Sequence, residues 1–463
     1  MAGDDSLGAG ETHENGQMMG ERDGLFENLP ALAGPTRSAG PVGAPRLRSP
    51  ERRQIELRSC DLESLLGGDH PARLIWAYVE RLSAALRPLY DAIAAREGLP
   101  GHPPIDPRLL LALWLYATSE GVGSARQLEQ LCGSHDAYRW LCGGVSVNYH
   151  TLSDFRAAQG ALLDELLTKN VAALAAAGVI DLDTLAQDGL RVRAAAGAAS
   201  FRRRGTVEQH LAQAGRVVRR LKQELHDDPA ASRRRRQAAQ GRAAQEREAR
   251  LKAALDKLAE IEAQRQRREK TNAKATAKQG QPRVSTTDPE ARVMKMPGGG
   301  FRPAYNMQIV SASEQQIIVG VDVTASGSDR GWARIMLEQV RRRFARLPRR
   351  YLADGGFTKL DDIEWAHGEK VAVHCPPPKS RHRSDPFVPR DDDGPGVAAW
   401  RRRMKSPRGK GRYKRRSIAE RINAHLRQWR LHQITLRGLD KARTVLLWFA
   451  LAHNILRTAK LAA

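Results

Sequence analysis

Apolar residues recur every three or four positions over about 53–178, whereas short apolar runs alternate with helical stretches from 179 onward. In His70–Ala95 the residues Leu74, Ile75, Tyr78, Leu82 and Leu86 mark one helical face. Asp106 and Pro107 supply an N-cap and a first-turn proline for the apolar helix LLLALWLYA. Ser124 opens SARQLEQLC, 135–142 is a third short helix, and Thr151 or Ser153 caps a long helix reaching about Ala177. Short helices with glycine-containing turns fit a helix-turn-helix in which Asn148–Arg156 reads DNA. They fit a plain helical bundle equally well.

The pattern then changes. VIDLDTLAQDGLRV (179–192) predicts a strand with Asp188 at its end, although Asp-Gly between apolar runs is also a hairpin-turn signal. Tyr305–Ala312 and Gln316–Thr324 predict two antiparallel strands turning at Glu314-Gln315, followed by a basic amphipathic helix over Trp332–Phe344. Tyr351–Ala353 is a short buried strand with Asp354 at its C-terminal edge, where Gly355-Gly356 permits a tight turn. Alternatively, Asp354 only caps the helix TKLDDIEWA, in which Asp361, Asp362 and Glu364 are expected to be solvated. A further strand spans Val371–His374, and the basic stretch 379–412 predicts a mobile loop near DNA. TVLLWFALAHNIL, from Thr444, is an apolar helix for the sheet to pack on.

Two regions fall outside this scheme. Residues 1–52, rich in Gly, Pro, Ala and charge, predict a disordered tail. Residues 206–282 are low in complexity and dense in Arg, Gln, Ala and Lys. Within them Leu211, Val218, Leu221 and Leu225, then Leu251, Leu255, Leu258 and Ile261, keep helical spacing on either side of HDDPAAS. This predicts an antiparallel helical hairpin, serving either as a spacing or dimerising arm or as a phosphate-contacting one. The resulting organisation is a tail (1–52), a helical N-terminal domain (53–178), a first core strand (179–205), a basic hairpin insertion (206–282) and the remaining core (283–463).

Charge adds a partner. The 463 residues carry 76 Lys and Arg against 52 Asp and Glu, a net +24 that points to a polyanion, nucleic acid by default. Aromatic residues are only 5%, which argues against a platform for stacking single strands. Cysteines 60, 132, 142 and 375 form no CxxC pair, so neither structural zinc nor a disulfide framework is expected, and a reducing cytoplasm suits them. No apolar run reaches the ~18 residues of a membrane span, and the acidic, polar N-terminus is not that of a signal peptide.

Candidate chemistry centres on YKRRSIAERINAHLR, Tyr413–Arg427. Read as one helix, it brings Tyr413, Arg416, Glu420 and Arg427 near one face. The group is either a solvated face with i,i+4 ion pairs or a metal-binding glutamate among phosphate-gripping groups. The spacing Tyr-x2-Arg-x3-Glu-x6-Arg resembles the signature around the last acid of bacterial insertion-sequence transposases with an RNase H-like DDE core, where Lys usually stands at the position of Arg427. HPPIDPRLLLALWLYA, SARQLEQLC and YHTLSDFR resemble the N-terminal domain of the same family, and STTDPEARVMK (Ser285–Lys295) resembles a segment close to its active site. The nearest group is the family numbered eleven eighty-two, allied to the InsH-type elements.

The resemblance implies an α/β fold, an RNase H-like mixed sheet with an all-helical N-terminal domain and an inserted helical hairpin. It places the catalytic and metal-binding acids at Asp188, Asp354 and Glu420, with Asp288 as a rival or supporting acid. Tyr413, Arg416 and Arg427 would hold phosphate. The implied cofactor is Mg2+, with Mn2+ as a substitute, and the implied partner is double-stranded DNA bound by a homodimer at the nucleoid. The implied activity is cleavage at element ends and strand transfer into target DNA. The alternatives are a domesticated DNA-binding regulator that has lost catalysis and an RNA-binding helical protein.

Overall fold

The computed structural model describes residues 61–98, 102–227, 234–271, 280–378 and 385–462; the tail expected over 1–52 lies outside them. The N-terminal part is built from α1 (Pro71–Glu80), α2 (Ser83–Asp91), α3 (Pro107–Ser119), α4 (Ala125–Ser134), α5 (Asp136–Cys142), α6 (Tyr149–Ala158) and α7 (Gly160–Ala176). Their starts are written locally. The side chains of His70, Asp106, Ser124 and Asn148 accept backbone N–H groups of the first turns of α1, α3, α4 and α6, and Pro71 and Pro107 occupy first-turn positions. The long apolar α3 is buried along its whole length and forms the centre of this part.

Two helices expected to be continuous are broken. His70–Ala95 divides into α1 and α2, and the helix expected to run to about Ala177 divides at Gln159. Gly160 explains the second division. A Cβ there would stand 2.7 Å from Thr444 Oγ1, so the helix must begin with glycine where the C-terminal helix crosses. Arg156, expected on a DNA-reading segment, is buried instead. Its guanidinium donates to Gly123 O at 2.5 Å and lies over the Trp114 ring, and burial pulls it down to about 10. The exposed positions of α6 include His150 and Asp154, which make no basic stripe.

The sheet contains β1 (Thr184–Arg193), β4 (Arg292–Lys295), β5 (Phe301–Ala312), β6 (Ile317–Thr324), β7 (Arg350–Leu352) and β8 (Ala372–His374); the short strands β2 (Phe201–Arg202) and β3 (Val284–Ser285) pair separately. β5 is antiparallel to β1 on one edge and to β4 and β6 on the other, while β7 runs parallel to β1 and β8 parallel to β7. The Asp-Gly pair makes no turn. β1 continues through it to Arg193, so Asp188 stands in mid-strand opposite Ile309 and not at the strand's end.

Helices α8 (Arg204–Asp227) and α9 (Arg234–Thr271) form the arm. Val207, Ala214, Leu251, Ala254 and Leu258 bury a small core of their own together with Val284. The β2–β3 ladder clasps the base of the arm, pairing Phe201 with Ser285 and Arg202 with Val284. Part of the HDDPAAS turn lies outside the described residues.

The remaining helices are α10 (Trp332–Phe344), α11 (Leu360–Gly368), α12 (Pro395–Lys405), α13 (Pro407–Lys414), α14 (Ser417–Gln428) and α15 (Leu439–Ala462). The basic stretch expected to be a loop is therefore helical from Pro395 onward, and 379–384 lie outside the described residues. Glu364 is not solvated: it accepts Gly396 N and Val397 N at the start of α12. Nor is Asp362, which is buried against Lys359 at 2.9 Å. On α15, Asn454 bonds both backbone groups of Ile318, closing the outer edge of β6. Asp164 on α7 accepts from Arg343 on α10 (2.5 Å) and Arg443 on α15 (2.6 Å), tying the helical part to the sheet.

Candidate active site

The parallel register of β1 and β7 positions the first two acids. Ala186 pairs with Leu352, and two residues further along each chain stand Asp188 and Asp354. Side chains alternate along a strand, so both acids point to the face of Ala186 and Leu352, on chain segments that neighbour at about 4.8 Å where strands pair. Asp354 has already left β7. Its Oδ1 accepts Gly356 N at 2.6 Å and caps the tight turn that Gly355-Gly356 allows. Asp354 thus stands at the strand's edge and caps the turn that follows it, whereas the helix TKLDDIEWA begins at Leu360 behind Lys359 and takes no cap from Asp354.

The third acid arrives on α14. Ala419 is buried against Ala186 and Leu352, one pleat behind the two aspartates. That contact lays the first turn of α14 over Asp188. Asn423, four residues after Ala419, donates to Asp188 Oδ2 at 2.8 Å. Arg416 sits between the acids, 3.9 Å from Asp188 Oδ1 and 2.5 Å from Glu420 Oε1. Burial pushes the Asp188 carboxyl up to about 6. Arg416 and the Gly189 N–H oppose the shift, and the negative charges of Asp354 and Glu420 add to it.

Tyr413, Arg416, Glu420 and Arg427 do not share one helix. α13 ends at Lys414 and α14 begins at Ser417, with Arg416 at its N-cap. Arg408, Arg412 and Arg416 would stack like charges at i,i+4 spacing in a continuous helix, which favours the break. Across it, Arg416 still lies over the Tyr413 ring at 5.7 Å. Arg427 is exposed two turns beyond Glu420, about 10 Å along the axis.

Asp288 is elsewhere. It is fully buried, and Tyr305 OH lies 2.7 Å from both of its oxygens. Tyr305 stands four residues along β5 from Ile309, the partner of Asp188, or about 13 Å. Tyr305 OH also accepts Gly438 N, and Glu290 accepts Leu439 N. The Ser285–Lys295 segment therefore holds the N-terminus of α15, and burial raises the Asp288 carboxyl. Asp288 is therefore buried against Tyr305, apart from Asp188 along β5.

Among the described residues, no three His, Cys, Asp or Glu side chains are grouped to hold a metal ion. The donor chemistry nevertheless suits a hard divalent cation. The three acids offer oxygen only, and Asn423 Oδ1 is a buried acceptor with no partner beside Asp188. Arg416 pairs with Glu420, and its charge partly offsets the mutual repulsion of the acids. Asn423 was not singled out in the sequence, although it lies three residues after Glu420 on the same helical face.

Residues 271–455 match the family described as Transposase DDE domain, and residues 60–158 match the family described as Transposase domain (DUF772). Asp354 and Glu420 fall inside the first range, whereas Asp188 and most of the arm fall in neither. Among curated proteins and solved structures no match is found. Two transposase domains in one chain, each matched over its own range, support an insertion-sequence transposase of the DDE class.

Proposed function

We propose that the chain performs metal-dependent DNA cleavage at the ends of an insertion sequence and joins the freed ends to target DNA, using Asp188, Asp354 and Glu420. One observation carries the reading: Asp188 and Asp354 stand side by side by strand register, and Arg416 ties Glu420 to Asp188. The sheet supports an RNase H-like core, with β6, β5 and β1 antiparallel and β7 and β8 parallel beyond them. Mg2+, or Mn2+ in its place, would be held by the three carboxylates and would supply charge neutralisation at the scissile phosphate. Arg416, which pairs with Glu420 at 2.5 Å and lies over the Tyr413 ring, would be placed to grip phosphate beside the cation, with Arg427 further along α14. Asn423 would hold Asp188 in place through its bond to Oδ2.

In this reading the helical part over 53–178 and the arm over 206–282 contact duplex DNA, and the active species is a homodimer on the element ends. Net charge supports the DNA partner. Neutralising ~6–10 phosphates would lower affinity about 10³–10⁵-fold between 50 and 200 mM salt, and a flat response would count against it.

The decisive test uses a plasmid carrying the inverted repeats that flank the gene. Asp188→Asn, Asp354→Asn and Glu420→Gln should each abolish strand cleavage while leaving DNA binding intact. Asp288→Asn should fold less well yet retain cleavage in the folded fraction. If Asp288→Asn abolishes cleavage and Asp354→Asn does not, the second acid is wrongly assigned.

A further inference from the structure

Behind Asp188, on the opposite face of the sheet, lies a row of hydrogen-bonded polar side chains. Tyr351 OH donates to Gln187 Oε1 at 2.6 Å, Gln187 Nε2 donates to Gln308 Oε1 at 2.7 Å, and Gln308 Nε2 donates to Asp329 Oδ1 at 2.7 Å. Asn306 Nδ2 donates to the same oxygen at 2.7 Å. Tyr351, Gln187, Gln308 and Asn306 are all buried. The row crosses β7, β1 and β5 and ends on the loop before α10, so its direction is fixed. Every step passes a donor toward Asp329, and the last group must be an acceptor.

Asp329 also touches the backbone that bears the acids. A Cβ on Gly189 would lie 2.6 Å from Asp329 Oδ1, and one on Gly356 would lie 3.8 Å from Asp329 Oδ2. Gly189 follows Asp188 and gives its N–H to Asp188 Oδ1 at 3.0 Å; Gly356 gives its N–H to Asp354. Gly189 has no positive φ, so conformation does not demand glycine there; the approach of Asp329 does.

We infer that Asp329 is a positioning residue: it terminates the polar row and, seated on Gly189, holds the backbones of Asp188 and Asp354 at the spacing a shared cation needs. The inference rests on the active-site reading above. Its role is exerted through Gly189 and the row, from the face opposite the carboxylates, which separates it from the acids themselves.

The test is Mn2+ titration of the full chain followed by electron paramagnetic resonance, with kcat and KM for DNA cleavage measured alongside. Asp329→Ala and Gly189→Ala should each weaken Mn2+ binding about tenfold or more and lower kcat, while Asp329→Asn, which keeps the acceptor oxygen, stays within about threefold of wild type. KM for DNA should not move. Unchanged Mn2+ affinity in Gly189→Ala overturns the inference, and this variant decides the matter if Asp329→Ala fails to fold. Equal damage from Asp329→Asn and Asp329→Ala also overturns it, because a direct role for the charge would then be required. If Asp188→Asn leaves Mn2+ binding intact, the active-site reading itself has failed, independently of Asp329.

Discussion

Gln187 and Asp188 are adjacent in sequence and point to opposite faces of one strand, and they are treated in opposite ways. Gln187 is completely buried, neutral, and satisfied by Tyr351 and Gln308. Asp188 is partly buried, close to two other carboxylates, and left with a carboxyl pushed up to about 6. One face of β1 minimises its free energy, while the other stores electrostatic strain beside a single arginine. Perturbed carboxyls of this kind cluster at functional sites, and the polar face behind this one is hydrogen-bonded from Tyr351 through to Asp329.

The contrast can be broken first from the quiet face. Gln187→Leu strands the Tyr351 hydroxyl and Gln308 Oε1, each a buried group costing about 1–3 kcal/mol when unpaired. Unfolding in urea should show a loss of roughly 2–5 kcal/mol; a neutral result would mean that the row is not a unit. On the helices that cover the same face, Asp164→Ala leaves the nearly buried Arg343 without its carboxylate and should cost about 3 kcal/mol by the same measurement.

Next in size, Asp188→Asn should stabilise the metal-free protein at pH 7.5 while abolishing cleavage. A carboxyl raised from 3.8 to about 6 is worth about 3 kcal/mol at ~1.4 kcal/mol per unit. The sign follows from proton binding: the folded state holds this proton more tightly than the unfolded one. Its stabilising contribution is complete below pH 3.8, is lost as pH rises to about 6, and changes no further above that. The advantage of Asp188→Asn should therefore disappear near pH 4, which thermal melts across pH 4–8 would show. The smallest effect is expected from Asn423→Ala, about 1 kcal/mol of stability for one lost hydrogen bond. Its cleavage defect should be partial, since the acids remain.

The alternation of apolar and polar positions made the strands and the arm legible. The boundaries of α10 and the turn after Ala312 follow directly from it. The three acids were placed by motif resemblance, which names positions but says nothing of geometry. The break before Ser417 was hidden because the run from Tyr413 contains no Gly or Pro, and only crowding of like charges marks it. Arg156 was misplaced for a related reason. A charged residue on an amphipathic helix reads as exposed, and its burial depends on Trp114 and Gly123, which are distant in sequence. The polar row did leave a trace in Gln187, Asn306 and Gln308, neutral polar residues at strand positions, the last two at two-residue spacing. What they bond to lies on a loop that no periodicity reaches.

The two-residue clasp at the base of the arm has a consequence for how the chain finds its fold. Beside the central ladder the side chains of Gln187 and Gln308 meet, 121 residues apart, a long search for an unfolded chain. Once α8 and α9 have zipped and Phe201 has met Ser285, the arm is a closed side branch, and the loop still to be closed is more than threefold shorter. The saving in closure entropy is only about 1 kcal/mol, but it falls on the step that brings Asp188 to the sheet's centre. An arm that folds early would thus act as a built-in splint, and a chain with a loosened clasp should refold more slowly even if its final stability is unchanged.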